Sequence, residues 1–200
     1  MAPLTIALAS SNAGKLREFE TLLESLGATV RSQGELGVSD AVEDGATFVE
    51  NALKKARHVC AEARLPAIAD DSGLVVPALG GAPGILSARY AGTHGDSAAN
   101  NAKLLATLDG KDDRAAYFYC ALVFLAHDAD PTPVIATAAW HGQIALAPSG
   151  SDGFGYDPIF LPRSEQGSAA EMTAEAKAAV SHRGQATRAL LSELKTRLQR

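Results

Sequence analysis

A chain of 200 residues, 46% of them hydrophobic and with no Pro-, Ser- or charge-rich stretch long enough for a linker, suffices for one domain with a full core over residues 1–200. A formal charge of -5 argues against a nucleic-acid polymer, which clustered Lys and Arg would hold, and leaves room for a small phosphorylated substrate needing few basic residues. No apolar run reaches membrane-spanning length, no basic leader precedes one, and Cys60 and Cys120 read as buried thiols, so a soluble cytoplasmic protein is expected.

Leu4 to Ala9 is a short apolar run, followed at helical spacing by Leu16, Phe19, Leu22, Leu23 and Leu26 until Gly27 stops the pattern. Between this strand and helix lies Ser10, Ser11, Asn12, Ala13, Gly14 and Lys15, where free backbone amides make an anion site. A cation in the first turn opposes the helix dipole, so Lys15 fits a bound polyphosphate; an ordinary surface turn is the other reading. The spacing is not that of a Walker A loop. Glu43-Asp44-Gly45 precedes a capping box, Thr47 to Glu50, that starts a helix with Phe48, Ala52, Ala56, Val59 and Cys60 on its apolar face. Lys55 lies beside that face, either directed into a cleft or snorkelling to solvent.

Leu65-Pro66 ends this helix, and a strand carrying Asp70 and Asp71 follows. An apolar strand ending on two carboxylates must give them water, a basic partner or a cation. A divalent metal serves both, and oxygen donors suit Mg²⁺; a turn capped by the Asp pair at Ser72-Gly73 is the alternative. Beyond the glycine-rich loop at 79–84 come a short helix from Ala98 to Leu108 and two long β-like runs, Ala115 to Ala126 and Val134 to Leu146, joined as a hairpin. A second glycine-rich loop, Ser149 to Pro158, places Phe154, Gly155, Tyr156 and Asp157 together. Aromatics flanked by glycine do not read as core, and a stacking platform for a base is the functional alternative. Ile159 to Leu161 reads as a last strand, and helices from Thr173 to about Val180 and from Arg183 to Arg200 close the chain. Lys177 and the polar break Ser181-His182-Arg183-Gly184 stand where the last two meet. Helices and strands alternate early and strands cluster late, which implies an α/β fold around a mixed sheet.

Seven motifs, Ser10 to Lys15, Thr47 to Ala52, Ala69 to Leu74, Gly80 to Gly84, Ser87 to Tyr90, Gly153 to Phe160 and Ser181 to Gln185, occur in an order that resembles the inosine triphosphate pyrophosphatases over nearly the whole chain. The resemblance implies an elongated mixed β-sheet with flanking helices, two lobes around a nucleotide-binding cleft, a Mg²⁺ requirement and a homodimer. It implies cleavage of ITP, dITP or XTP between the α and β phosphorus atoms. Ser10 to Lys15 and Lys55 would then hold the phosphates, Glu43, Asp70 and Asp71 the metal, and Asp71 would accept the proton of the attacking water. Ser72, Phe154, Gly155, Tyr156, Asp157, Lys177, His182 and Arg183 would line the rest of the substrate site. There Phe154 stacks on the base, Lys177 approaches its polar edge, and donors from His182 and Arg183 select an oxygen at C6 over an amino group. A pyrophosphatase for dTTP- or UTP-type nucleotides would lack the Ser181 to Gly184 motif. A non-catalytic nucleotide-binding regulator would have no need of Glu43 with the Asp pair.

Overall fold

The computed structural model describes residues 4–11, 15–16, 19–20, 23, 27–163 and 165–198. Their strands are β1 (Leu4–Leu8), β2 (Ala28–Ser32), β3 (Ala67–Val75), β4 (Ala115–Leu125), β5 (Val134–Ile144) and β6 (Phe160–Pro162). Their complete helices are α1 (Phe48–Ala63), α2 (Ser97–Thr107), α3 (Ala174–Val180) and α4 (His182–Leu198). Lys15, Leu16, Phe19, Glu20 and Leu23 are also helical, so strand, helix and strand follow one another at the start of the chain. One six-stranded sheet results, in the order β2-β1-β3-β4-β5-β6. β1 pairs in parallel with both β2 and β3, while β5 and β6 are antiparallel, which makes the sheet mixed and the fold α/β.

Two compact units divide the chain, and their boundaries fall inside β3, β4, β5 and α4. The first comprises Met1–Asp71, Ala121–Thr137 and Ala186–Arg200. Here β1 is apolar on both faces, with Ile6, Ala7 and Leu8 fully buried, as a strand flanked by parallel neighbours requires. The capping box is present: Thr47 Oγ1 accepts from the Glu50 amide at 3.2 Å and the Thr47 amide donates to Glu50 Oε2 at 2.8 Å. α1 then lays Ala52, Ala56, Val59 and Cys60 toward the core. Burial pushes the Cys60 thiol up to about 11, and Cys60 and Cys120 are both reduced and buried.

The second unit comprises Ser72–Cys120 and Ala138–Gln185. Its core gathers Leu74, Leu104, Phe118, Trp140, Tyr156, Ile159 and Phe160. At Gly142 a Cβ would come within 2.7 Å of Phe160 Cζ, so β6 pairs with β5 as closely as it does because glycine stands there.

Two expectations are corrected by the elements themselves. β2 has no counterpart in the sequence reading: it is a five-residue edge strand whose only large apolar residue is Val30, short and polar as sheet edges tend to be. β3 does not end on Asp70 and Asp71 but continues through both to Val75. The pleat survives two adjacent carboxylates because each is met by a lysine.

Candidate active site

Asp70 and Asp71, adjacent on β3, are each paired with a different lysine. Lys15 Nζ donates to Asp70 Oδ1 at 2.8 Å, and Asp70 is only 2% exposed. On α1, Lys55 Nζ stands 3.4 Å from both Asp71 Oδ1 and Glu43 Oε1. Burial alone would lower the proton affinity of Lys55, but Asp71, Asp70 and Glu43 together outweigh it and hold the ammonium above its usual range. Burial raises the Asp71 carboxyl, against the pull of Lys55 and Asn51 and with the push of Glu43 and Asp70. Asp71 Oδ2 is buried and has no hydrogen-bond partner among the described residues. A buried carboxylate oxygen left open in this way has capacity for a proton, a water or a metal ion.

Glu43 is held near Lys55 by a device that the sequence reading missed. Asn51 is 2% exposed, and its Oδ1 accepts from the Gly45 amide at 2.8 Å, fixing the Glu43-Asp44-Gly45 loop on the first turn of α1. An Asn on the buried side of an amphipathic helix was the available signal. Ser10 and Ser11 follow β1, with the Ser10 amide donating to Leu8 O at 2.8 Å and Ser11 exposed. Asn12, Ala13 and Gly14 lie outside the described residues.

Oxygen donors of Glu43, Asp70 and Asp71 are of the hard type that Mg²⁺ takes. Among the described residues no three His, Cys, Asp or Glu side chains are gathered as a complete metal site. Glu43 and Asp71 nevertheless converge on one cationic point, the Lys55 ammonium, and Asp71 keeps an unused oxygen. A cation completed by phosphate oxygens and water fits such a partial set.

In the second unit, Phe154 stands out as a large aromatic 66% exposed in a loop held on every side. Ser149 and Pro158 close the loop through a backbone bond of 2.9 Å. Asp157 Oδ2 accepts from the Phe154 amide at 2.7 Å and is paired with Lys177 of α3. Asn101 Nδ2 donates to Gly155 O at 3.0 Å, and Tyr156 Oη donates to Ser87 O at 2.9 Å. Two cations flank the ring: Lys177 Nζ lies 4.9 Å and Arg183 Cζ 5.8 Å from its centroid. Arg183 also donates to Ser72 Oγ at 3.1 Å, so Ser72, Phe154, Lys177 and Arg183 are brought together. His182 is buried with its ring stacked on Phe118 at 4.8 Å.

Tyr156 is a correction: flanked by glycine, it nevertheless belongs to the core, 4% exposed, with burial pushing its phenol well above the ordinary range. Gly155, at φ +63°, lets the chain turn the two aromatics to different environments. Asp157 and Lys177 serve each other, which gives the loop a buried ion pair where the sequence reading had Lys177 at the edge of a base.

The Ham1 family profile matches residues 6–193 of the chain. The dITP/XTP pyrophosphatase of Shigella flexneri is 54% identical over 192 residues, which are 95% of this chain and 98% of that protein. A dITP/XTP pyrophosphatase of Halorhodospira halophila is 54% identical over 190 residues, 94% of this chain and 96% of its own. In structure, a HAM1 protein from Coxiella burnetii is similar with a TM-score of 0.93 at 46% identity, covering 96% of this chain and 99% of that one.

Proposed function

The chain belongs to the Ham1 family, and from that membership we propose that it hydrolyses dITP, ITP and XTP to the nucleoside monophosphate and pyrophosphate, removing deaminated purines from the nucleotide pool. It is a nucleoside triphosphate pyrophosphatase. The observation that carries the reading is the set of Asp70 and Asp71 on β3, Lys55 on α1, Glu43 ahead of it and Lys15, with Asp71 Oδ2 buried and open.

Lys15, Lys55 and the loop from Ser10 through Gly14 hold the phosphate chain. Asp71 accepts a proton from water as its oxygen bonds to the α phosphorus; the bond to the α-β bridging oxygen breaks and pyrophosphate leaves. Such a displacement asks the protein mainly for positioning and neutralised charge. Glu43, Asp70 and Asp71 would hold Mg²⁺, which when bound would supply charge neutralisation on the phosphates. The base stacks on Phe154. Arg183, with its donor fork, and His182 favour an oxygen at C6 over the amino group of adenine, because a donor facing a donor in a buried setting is left unpaired. The homodimer and the cytoplasmic setting implied by the family resemblance belong to the same proposal. Among the described residues no helix is long and apolar enough to cross a membrane.

Pyrophosphate release across dITP, XTP, ITP, GTP, ATP and dTTP, with Mg²⁺ and with excess chelator, tests this reading. The first three are expected to exceed ATP and dTTP in kcat/KM by about a thousandfold, with no turnover in chelator. Equal rates on ATP and dITP would remove the base-selection half, and undiminished hydrolysis in chelator the metal half.

A further inference from the structure

We propose that Asn101, on α2, is a positioning residue for substrate, holding the Phe154 platform through the backbone of the loop; the inference rests on the reading of Phe154 as the surface on which the base stacks. The loop is tied at three successive residues, Phe154, Gly155 and Tyr156. Asp157 takes the Phe154 amide, Tyr156 reaches Ser87 O, and the intervening carbonyl of Gly155 is held by Asn101 Nδ2 at 3.0 Å. Of these ties, the one at Gly155 governs the residue with the widest backbone freedom. Gly155 sits at φ +63°, and the space where a Cβ would stand is open to 4 Å, so no packed side chain takes the place of the tie.

The orientation of the Asn101 amide follows from chemistry. A carbonyl oxygen accepts and never donates, so the NH₂ group must face Gly155. Asn101 Oδ1 is thereby turned to a buried position with no partner among the described residues, and the residue is 8% exposed. A buried acceptor left open opposes folding, and Ala or Leu at this helical position would bring better helix propensity with no open acceptor. What the amide supplies in return is the grip on Gly155. The neighbouring Asn100 shows the contrast: its Oδ1 accepts from the Ala91 amide at 2.7 Å while its Nδ2 faces Ser87 O and Ala88 O, so both ends of that amide serve the backbone locally.

Two consequences separate a positioning role from a merely structural one. Release of Gly155 loosens the platform without touching the phosphate chemistry, so KM for dITP rises while kcat holds. It also matters only while the ring is present. The test is a double-mutant cycle on the full chain with Asn101→Ala, Phe154→Ala and the pair, reading kcat and KM for dITP, with hydrogen exchange of the 153–156 segment as a measurement independent of activity. Asn101→Leu, which keeps the bulk and lacks the donor, replaces Ala if the smaller residue leaves the protein unfolded. Asn101→Ala is expected to raise KM about three- to tenfold, the worth of one hydrogen bond, to speed exchange in that segment, and to add nothing in the Phe154→Ala background. If Phe154→Ala raises KM but Asn101→Ala neither raises it nor speeds exchange, the positioning role is refuted and the stacking surface stands. Fully additive effects, or a fall in kcat at constant KM, refute it likewise. If Phe154→Ala leaves KM unchanged, the stacking reading itself falls and this inference with it.

Discussion

Asp71, like its neighbour Asp70, is paired with a lysine, but its second oxygen, Oδ2, is buried with no hydrogen-bond partner among the described residues. Asp71→Asn removes the charge at nearly constant volume, and Glu43 remains beside Lys55. Turnover of dITP is expected to fall by about 10²- to 10⁴-fold, the usual contribution of a general base, with the thermal midpoint little changed; kinetics and a melting curve on one preparation check both. Lys15→Ala is a different matter, because it removes the lysine hydrogen bond of a carboxylate that is 2% exposed, and a loss of about 1.5 to 3 kcal/mol in stability is expected on denaturant titration. Arg183 touches Ser72 and lies over the Phe154 ring, so Arg183→Ala should lower kcat/KM for ITP more than for ATP and narrow their ratio by about tenfold or more. An unchanged ratio would make Arg183 a structural contact. At this scale the sequence displays residue types but not partners separated by long stretches of chain. The Asp pair, Lys15 and Lys55 were legible as chemistry, whereas the division of lysines between the two carboxylates depends on contacts spanning 55 and 16 residues of chain. Tyr156 and Phe154 have like neighbours in sequence, and only the fold sends one to the core and leaves the other exposed.

Among the elements, α1 was legible to its cap, since Thr47 and Glu50 act within four residues of each other. β2 was not, because five residues with one large apolar side chain carry too little periodicity, and an edge strand is defined by the neighbour it pairs with. β3 was legible as a strand but not in length, since the compensation that lets it run on to Val75 comes from Lys15 and Lys55 on other elements. Where β4 turns toward β5, Asp130 is 4% exposed and accepts from the Ala126 and Thr132 amides and from Arg197 of α4 at 2.7 Å. Burial works to raise this carboxyl, but the two amides and the Arg197 guanidinium prevail and hold it at about 2. A depressed carboxyl lends stability that is complete above the ordinary carboxylate range and is lost as pH falls from there toward 2. Between pH 5 and 2 the unfolding free energy of the native chain should therefore fall by about 2 kcal/mol more than that of Asp130→Asn. Denaturant titrations at the two pH values check this, and parallel losses in the two proteins would mean that the tie of α4 to the β4-β5 turn does not depend on charge.

For the whole molecule, the two units hold different kinds of side chain at their candidate sites. Within the first unit Lys15, Glu43, Lys55, Asp70 and Asp71 are all charged, and within the second Ser72, an exposed aromatic and two cations lie together. β3 passes from one to the other at the Asp71-Ser72 peptide bond. On the proposed mechanism the triphosphate is cut at the α phosphorus by water whose proton goes to Asp71. The products decide where the cut falls: with dITP and Mg²⁺, ³¹P spectra of the reaction should show dIMP and pyrophosphate in equal amounts from the first turnover, and appearance of dIDP with orthophosphate would overturn cleavage at the α phosphorus.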